Sequence, residues 1–490
     1  MFEMVVGLET HVELSTKTKI FCSCTTQFGG EPNTHCCPIC TGQPGSLPVL
    51  NRQAVEYAIT AGLALGCRIN KRSVMARKHY VYPDLPKAYQ ISQYEQPLCE
   101  GGKVTLSNGR EIRITRIHIE EDAGKLVHQG GMALIDYNRG GVPLIEIVTE
   151  PDFRSAEEAT EYLEKLQTIL RAVKVSDCRM QEGSMRCDVN ISVRRKGETA
   201  FGVRTEVKNL NSFTSVAQAI EYEFERHVDI ISSGGVVEQE TRHFSAEDGT
   251  TSSLRDKENA DDYRYFPDPD IIEILVPDEV LERLQAELPE LPDAKLRRYV
   301  SELGIPEDDA KMLTKYRPVS EYFEKASEGV QQPKTVASFI ITQMFSRIQT
   351  EAERENFSPG TTAEQLRELV LLLESGKISR NVAKRVFADM LDTGKSAHDF
   401  LTEEDLAGFD ASQLTSLCQA AIDENPKTVA TRAARRRRLK RWWAPSCARR
   451  KGAPTPSPSK RSSSGSSASN RIQRRKRGFT PRFFIVTDLL

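Results

Sequence analysis

The chain contains 490 residues, with 67 Lys and Arg against 69 Asp and Glu, and 39% of its residues are hydrophobic. At roughly 150 residues per domain, this length predicts a globular protein of about two to four domains. No run of about 18 apolar residues is present, which excludes a membrane helix, and no signal peptide precedes the first apolar segment. Eleven cysteines fit reduced thiols and a metal site better than disulfides, so we expect a cytoplasmic protein.

Short β-branched segments separated by turn residues predict a strand-rich region from residue 1 to about residue 270. The predicted strands are residues 112–119, 144–148, 187–193 and 202–207. Two segments with helix-forming patterns, 52–65 and 155–173, are predicted as helices. Prolines cluster just before residue 293, and apolar residues then recur at helical spacing. This change predicts helices packed in a bundle after the proline-rich boundary.

The last 60 residues differ in composition from the rest of the chain. Residues 431–490 carry 18 Lys and Arg but only one acidic residue, and part of the segment is rich in Ser and Pro. This composition predicts a disordered basic tail. The residues before the tail are therefore acidic overall, and their net charge gives no support for nucleic-acid binding.

Two close pairs of cysteines lie near the N-terminus. Cys22 and Cys24 are followed, after an intervening stretch of twelve residues, by Cys37 and Cys40. Two such pairs suit a tetrahedral zinc ion, because each pair spans one edge of the tetrahedron. Four cysteine ligands leave no open coordination position, so we predict a structural zinc that fixes the surrounding loop. Cys36 could replace Cys37, and the alternative is a group of unrelated reduced thiols.

Carboxylates and a histidine recur along the predicted strands. Glu9 and His11 are separated by one residue, so a strand points both to the same face. A carboxylate inside an apolar strand is unfavourable unless it is paired or binds a metal, and several together favour a hard cation such as Mg²⁺. For any single carboxylate, a solvated strand face or a local salt bridge is the alternative. The candidate magnesium ligands are Glu9, His11, Glu120, Glu121, Glu146, Glu150, Asp188 and Glu206.

Residues 77–90 combine cations, aromatic rings and prolines without strand or helix periodicity. Such a loop could present Lys78 and Lys87 to phosphates and stack its tyrosines on a base. The alternative is an ordered surface loop without a ligand. The sequence has no P-loop, no dinucleotide-binding glycine motif and no Gly-x-Ser-x-Gly nucleophile motif. It therefore contains no visible apparatus for releasing ammonia from an amide.

Several long motifs are more specific than composition or periodicity. They occupy residues 6–14, 77–90, 117–125, 186–190, 206–213, 239–242 and 262–267. Together with the cysteine set, they closely resemble one family, the B subunits of the glutamine-dependent aspartyl/glutamyl-tRNA amidotransferase. The resemblance extends from residue 4 to residue 430.

The resemblance implies an α+β fold, with a strand-rich catalytic cradle domain at 1–290 and a helical domain at 291–400. A small helical tail domain that grips tRNA would begin at 401–430. It also implies an ATP-dependent carbon–nitrogen ligase with glutamine as amide donor. This enzyme phosphorylates the side-chain carboxylate of Glu-tRNA(Gln) or Asp-tRNA(Asn) with ATP and Mg²⁺, and ammonia then displaces the phosphate. An amidase A subunit supplies the ammonia, and a small C subunit completes the heterotrimer.

By resemblance, the catalytic or metal-binding residues are Glu9, His11, Glu120, Glu146 and Glu206. Glu121, Glu150 and Asp188 are further candidates, while Lys78 and Lys87 are predicted phosphate contacts from their local chemistry. Two rival functions are a stand-alone metal-dependent phosphohydrolase and a non-catalytic RNA-binding zinc protein. The motif set favours the amidotransferase over both.

The sequence departs from the family after residue 430. Tryptophan has a single codon, so the bases that encode Trp442, Trp443 and Ala444 are largely fixed. When they are read in the frame that starts at the third base of the Trp442 codon, they must encode Val-Gly. A permitted shifted reading of residues 440–453 resembles the family tail. We therefore expect a reading-frame break near Ala430, which disrupts the tail domain. The basic segment would then not be an evolved RNA-binding element, and its charge would be no evidence for function.

Overall fold

A ten-stranded sheet dominates the described part of the computed structural model, which comprises residues 1–256 and 260–406. The strands are β1 Phe2–Glu13, β2 Arg68–Ile69, β3 Arg72–Ser73, β4 Ala76–His79, β5 Tyr89–Ser92, β6 Cys99–Glu100, β7 Lys103–Thr105, β8 Glu111–Glu121, β9 Lys125–Gln129, β10 Met132–Asp136, β11 Pro143–Thr149, β12 Met185–Arg195, β13 Thr205–Leu210, β14 Glu240–Ser245, β15 Thr250–Asp256, β16 Phe266–Pro267 and β17 Ile274–Leu275. The helices are α1 Arg52–Ala64, α2 Ala156–Ala172, α3 Phe213–Ser232, α4 Asp278–Ala286, α5 Pro292–Ser301, α6 Glu307–Thr314, α7 Arg317–Ser327, α8 Pro333–Phe339, α9 Glu351–Glu355, α10 Ala363–Glu374, α11 Arg380–Thr393 and α12 Glu403–Leu406.

The strand order of the large sheet is β15–β14–β13–β12–β1–β11–β8–β6–β2, and β7 also pairs with β8. The N-terminal strand β1 therefore lies in the middle, antiparallel to β11 on one side and to β12 on the other. β13 and β14 run parallel. A smaller sheet places β4 between β5 and β16.

The two faces of the large sheet have different environments because side chains alternate along each strand. Leu8 and Val12 of β1 are buried in one hydrophobic core with Ile117, Ile145 and Val189 from the neighbouring strands. Helices α1, α2 and α3 contribute apolar side chains to the same core. The opposite face carries the polar residues between these apolar positions, and the candidate site lies there.

Helix α2 shows why the predicted helix at 155–173 forms. The Ser155 side chain caps the helix by accepting a hydrogen bond from the backbone N–H of Glu158, which satisfies one of the unpaired donors of the first turn. Tyr162, Leu163 and Leu166 are buried against the sheet core. The prediction is confirmed, and α1 likewise confirms the predicted helix at 52–65.

A second hydrophobic core follows the strand-rich part and is formed mainly by helices α5 to α8, α10 and α11. The apolar stripes predicted from spacing are buried in it, including Leu366 and Val370 on α10 and Val386 and Met390 on α11. A strand-rich part followed by helices confirms the α+β fold class.

The predicted strand at 202–207 began too early, because β13 starts only at Thr205. A Cβ atom at Gly202 would lie 2.2 Å from the carbonyl oxygen of Val193, so this position packs directly on the backbone of β12 and suits glycine alone. Predictions for the tail beyond residue 406 lie outside the described residues. No helix in the described ranges has the length and hydrophobicity needed to cross a membrane.

Candidate active site and metal centres

The polar face of the large sheet brings together residues that are far apart in the sequence. His11 on β1 lies opposite Glu146 on β11, and Glu146 in turn lies opposite His118 on β8. Glu120 follows two residues after His118 and therefore points to the same face. These four side chains form what we call the His–Glu cluster.

Short distances join the members of the His–Glu cluster. The Nε2 atom of His11 is 3.5 Å from Glu120 Oε1 and 3.5 Å from Glu146 Oε2. The Nε2 atom of His118 is 3.2 Å from Glu146 Oε2 and 3.7 Å from Glu120 Oε2. One possible ligand atom from each of His11, Glu120 and Glu146 lies within 4.8 Å of the other two.

The electrostatics of the His–Glu cluster follow from its burial and charge. Burial by itself lowers the pKa of His11, but the charge and hydrogen bond of Glu146, with the charge of Glu120, outweigh it and raise the pKa to about 9. Burial raises the pKa of Glu146, whereas the charges of His118 and His11 reverse this effect and hold it well below its ordinary value. Burial likewise lowers the pKa of His118, but the charges of Glu146 and Glu120 and the hydrogen bonds to both outweigh it and raise the pKa. The histidines and carboxylates therefore favour each other's charged forms.

A second group, the carboxylate cluster, lies one strand further along the same face. Glu9 on β1 is opposite Asp188 on β12, and Glu206 is on the next strand, β13. One carboxylate oxygen from each of the three lies within 4.8 Å of the others. The Nζ atom of Lys208 is 2.5 Å from Asp188 Oδ2 and 3.3 Å from Glu206 Oε1. Asn190 donates a hydrogen bond of 2.8 Å to Glu9 Oε1.

The charge balance of the carboxylate cluster fits a hard cation. Three carboxylates converge, and Lys208 supplies a positive charge beside them. Burial lowers the pKa of Lys208, but the charges of Asp188 and Glu206 overcome this effect and raise it. Carboxylate oxygens grouped in this way are the ligands that Mg²⁺ prefers. The two clusters share one face and adjoin at β1, where Glu9 and His11 are neighbours.

Glu121 and Lys87 lie in a different environment from the two clusters. The Nζ atom of Lys87 forms an ion pair with Glu121 Oε1, and the two side chains are only 12% and 5% exposed. The backbone N–H of Ile91 donates a further hydrogen bond of 2.9 Å to Glu121. The structure therefore places the predicted phosphate contact Lys87 and the candidate ligand Glu121 together as a buried pair.

The remaining predicted residues also fall outside the two clusters. Glu150 follows β11 and accepts a hydrogen bond of 2.8 Å from the Thr115 hydroxyl. The Nζ atom of Lys78 lies 4.6 Å from the ring centroid of Tyr263 and 5.9 Å from that of Tyr80. Lys78 thus stands over aromatic rings contributed by two motifs that are widely separated in the sequence.

The four predicted zinc ligands converge. One sulfur from each of Cys22, Cys24, Cys37 and Cys40 lies within 4.8 Å of the others. The backbone N–H of Cys37 donates a hydrogen bond of 3.0 Å to the Cys40 sulfur. The hydrogen bond between Cys22 and Cys40 lowers the pKa of Cys40 and raises that of Cys22. Four convergent sulfurs match the donor set of a structural zinc ion.

The loop that carries these cysteines is held against the end of β10. The side-chain oxygen of Asn33 accepts a hydrogen bond of 2.8 Å from the backbone N–H of Tyr137. The backbone N–H of His35 donates a hydrogen bond of 2.8 Å to Asn138. A metal ion at the cysteines would therefore fix a loop that already contacts the sheet region.

Sequence reasoning missed His118 as a member of the site. Its signal was the alternation His118-x-Glu120, which repeats the spacing of Glu9-x-His11 on another strand. Tyr265 was also missed, although it lies within one of the family-like motifs. Its ring stacks on Tyr94 with centroids 4.4 Å apart, and burial, with smaller contributions from the charges of Glu120 and Glu146, raises its pKa.

Family models match most of the chain. Residues 4–282 match the model described as the GatB/GatE catalytic domain, and residues 321–447 match the model described as the GatB domain. The chain belongs to the GatB family. The first match contains both clusters of the polar face and all four cysteines, so the site lies within the GatB/GatE catalytic domain.

Relatives in the GatB family cover nearly the same length. The B subunit of an aspartyl/glutamyl-tRNA(Asn/Gln) amidotransferase from Caldicellulosiruptor saccharolyticus is 52% identical over 436 residues, which is 87% of this chain and 91% of the relative. Proteins of the same name from Thermoanaerobacter pseudethanolicus and Clostridium botulinum strain Okra are 50% and 48% identical, with the same two coverages. The predicted family is confirmed.

Proposed function

We propose that this chain is the subunit that activates the side-chain carboxylate of Glu-tRNA(Gln), Asp-tRNA(Asn) or both, so that ammonia can convert it to an amide. The observation that carries this proposal is the polar face of the sheet, where the His–Glu cluster and the carboxylate cluster adjoin at β1. The names of the relatives, each the B subunit of an aspartyl/glutamyl-tRNA amidotransferase, support the substrate class.

The chemistry explains why ATP is required. A carboxylate is a poor electrophile because its oxygen is a poor leaving group. In the proposed reaction, the substrate carboxylate oxygen attacks the γ-phosphorus of ATP and ADP leaves. Ammonia then attacks the carbonyl carbon of the acyl phosphate, and inorganic phosphate leaves as the C–N bond forms. Such a reaction is accelerated mainly by positioning and by charge stabilisation around the phosphoryl group.

The residues of the polar face have the donor chemistry for Mg²⁺. Glu9, Asp188 and Glu206 supply carboxylate oxygens, and His11 with the carboxylates of Glu120 and Glu146 supplies a second donor set. Mg²⁺ at these residues would offset the negative charge of the phosphates. Lys208 holds two carboxylates of the first set in place, and His118 holds the carboxylates of the second. Lys78 and Lys87 remain the proposed contacts to phosphate.

The proposed assembly rests on the resemblance to the amidotransferase B subunits, whose names imply a complex of several subunits. In that division of labour a partner with amidase chemistry supplies the ammonia. We propose an amidase A subunit for this role and a small C subunit that joins the two, in a cytoplasmic heterotrimer. Within it, this chain acts as an ATP-dependent carbon–nitrogen ligase with a structural zinc.

Glu206→Gln in the reconstituted heterotrimer tests the proposal. We expect ATP-dependent amidation of Glu-tRNA(Gln) to fall at least 100-fold, while glutamine hydrolysis by the complex stays near the wild-type rate. Glu164→Gln is the matched control, because Glu164 is an exposed carboxylate on α2, which packs on the opposite, apolar face of the sheet. Unchanged amidation in Glu206→Gln would remove this residue from the site. Turnover of a phosphoester without tRNA, glutamine or partners would favour the phosphohydrolase instead.

A further inference from the structure

The metal and phosphate chemistry proposed above uses no residue of the family-like motif at 239–242. The motif covers the start of β14, which runs parallel to β13. Thr241 lies opposite Glu206 and donates a buried hydrogen bond to it. The two residues that flank Thr241, Glu240 and Arg242, instead make ion pairs with helix α3, which packs on the other face of the sheet. The motif therefore places one side chain at the carboxylate cluster and two beneath it.

Four charged side chains close a ring beneath the strands, which we call the arginine–glutamate ring. The guanidinium of Arg242 lies 2.7 Å from Glu240 Oε1 and 3.1 Å from Glu223 Oε1. The guanidinium of Arg226 lies 2.8 Å from Glu223 Oε2 and 3.5 Å from Glu240 Oε1. Each arginine therefore bridges both glutamates, and the four charges cancel.

The ring is also tied to the strands on either side of β14. Arg242 Nη2 donates a hydrogen bond of 2.9 Å to the backbone carbonyl oxygen of Thr251 on β15. Arg226 Nη2 donates a hydrogen bond of 3.4 Å to the hydroxyl of Thr205 on β13, and Thr205 directly precedes Glu206. The ring thus contacts three adjacent strands immediately beside the carboxylate cluster.

The burial of the ring indicates that its main contribution is geometric. Glu223 is 0% exposed, and the other three side chains are 12–19% exposed. A buried network of this kind adds little stability over apolar side chains of the same volume, because desolvation opposes the attraction. It does fix the relative positions of its members, because each guanidinium carries its donors in one rigid plane.

Strand β14 requires such a constraint more than its neighbours. Its pairing with β13 is parallel and comprises three residue pairs, whereas the other described strand pairs of the large sheet are antiparallel. Parallel pairing is slightly less stable per residue. A slip of one residue would turn Thr241 to the helix side and bring a charged neighbour opposite Glu206.

We propose that the arginine–glutamate ring is a positioning device for Glu206. It holds β14 in the register that presents the Thr241 hydroxyl to Glu206, and it thereby sets the affinity of the carboxylate cluster for a divalent cation. The inference rests on the proposed function, which supplies the cation. None of the four ring residues touches the cation or the substrate in this account.

The test measures cation binding to the reconstituted heterotrimer rather than turnover. Mn²⁺ is the probe, because it takes the same oxygen ligands as Mg²⁺ and its binding is followed by electron paramagnetic resonance. The relevant site is the one that Glu206→Gln removes. We expect Arg242→Lys to raise the Mn²⁺ dissociation constant of that site about tenfold, as loss of an outer contact does. Glu240→Gln should have the same effect and is the second variant if Arg242→Lys does not fold.

An arginine in the helical part of the chain provides the matched control. Arg298 also bridges two glutamates, Glu290 and Glu324. We expect Arg298→Lys to leave the Mn²⁺ dissociation constant within about twofold of wild type, even where it lowers the unfolding temperature.

Combination with Thr241→Val separates positioning from general stability. If the ring acts through Thr241, Arg242→Lys should change the Mn²⁺ dissociation constant less than about twofold in a chain that already carries Thr241→Val. The drop in unfolding temperature caused by Arg242→Lys should be the same in both backgrounds. The Mn²⁺ affinity therefore reports a coupling that a purely structural role would not produce.

Three outcomes would overturn the inference. They are an unchanged Mn²⁺ dissociation constant in folded ring variants, losses that multiply in the double variant, and Mn²⁺ binding that Glu206→Gln does not alter. A wild-type complex that binds Mn²⁺ at Glu206 but performs no ATP-dependent amidation would instead overturn the proposed function. The two failures are therefore distinguishable.

Discussion

The hydroxyl of Thr241 on β14 donates a buried hydrogen bond of 2.9 Å to Glu206 Oε2 on β13. The two residues lie directly opposite each other in the parallel pair of strands. Glu206 also faces Lys208 at 3.3 Å and belongs to the carboxylate cluster. Thr241 therefore fixes the rotamer of a candidate metal ligand from outside the cluster.

Thr241→Val should weaken metal-dependent activity without changing the fold. The substitution keeps the shape but removes the donor, and loss of such an outer contact reduces metal affinity about 10- to 100-fold. We expect the Mg²⁺ concentration for half-maximal amidation to rise by that factor, and Thr241→Ser to restore it. An unchanged Mg²⁺ requirement in Thr241→Val would show that Glu206 is oriented by other contacts.

Cys40→Ser should release zinc and destabilise the loop around it. The Cys40 sulfur is the buried member of the quartet and accepts a hydrogen bond from the N–H of Cys37. We expect wild type to contain one zinc per chain by elemental analysis and Cys40→Ser to contain much less, with a lower unfolding temperature. Cys36→Ser is the control, because Cys36 lies outside the group of converging sulfurs. Equal zinc loss in both variants would contradict the assignment of Cys37 over Cys36.

The buried Glu223 predicts a specific loss of stability in acid. Burial raises the pKa of Glu223, but hydrogen bonds from His227, Arg226 and Thr251 overcome this effect and lower the pKa from 4.5 to about 2. The stabilisation is therefore fully present above pH 4.5 and is lost as the pH falls toward 2. The difference in unfolding free energy between wild type and Glu223→Gln should shrink over this window in urea titrations.

An exposed carboxylate provides the comparison for that measurement. Glu164→Gln should follow the wild-type stability at every pH, because Glu164 is exposed on α2. A wild-type advantage over Glu223→Gln that stays constant between pH 4.5 and 3 would show that the ionisation of Glu223 does not stabilise the fold.

The stability of the fold should fall when one member of the buried pair of Lys87 and Glu121 is removed. Lys87→Met removes the positive charge and leaves Glu121 buried with the N–H of Ile91 as a neutral donor. Breaking a buried pair in this way costs about 3–5 kcal/mol of unfolding free energy. We expect the double variant Lys87→Met, Glu121→Gln to recover part of that loss in urea denaturation. A single variant with wild-type stability would indicate that Lys87 is not needed to compensate Glu121.

The reading-frame prediction can be checked on the coding DNA. Residues 431–490 lie outside the described part of the chain, so the prediction rests on the codons of Trp442 and Trp443. Resequencing across residues 427–453 should reveal a one-base discrepancy that restores a family-like tail. An unbroken frame would contradict the prediction. The tRNA affinity of the full chain would then have to be measured directly, because a family-like tail could not be assumed.

Local patterns predicted the elements of the site better than their arrangement. Alternation placed Glu9 and His11 on one strand face, and the cysteine spacing selected the four sulfurs that converge. The pairing of His11 with Glu146 joins residues 135 positions apart, and strand register of that kind depends on the whole sheet rather than on local sequence. For the same reason, the partnership of Lys87 with Glu121 was not predicted, and Glu121 was grouped with the metal ligands.

The position of β1 has a consequence for how the chain is made. Its two neighbours, Pro143–Thr149 and Met185–Arg195, emerge from the ribosome long after Phe2–Glu13. At about 5–20 residues per second, the interval before the second neighbour is complete is about 10–40 s. Until Pro143–Thr149 emerges, β1 has no native partner in the sheet on either edge, and its second edge stays unpaired until Met185–Arg195 follows. The His–Glu cluster can therefore form once β11 is made, whereas the carboxylate cluster has to wait for β12 and β13, so one edge of β1 needs protection for longer than the other.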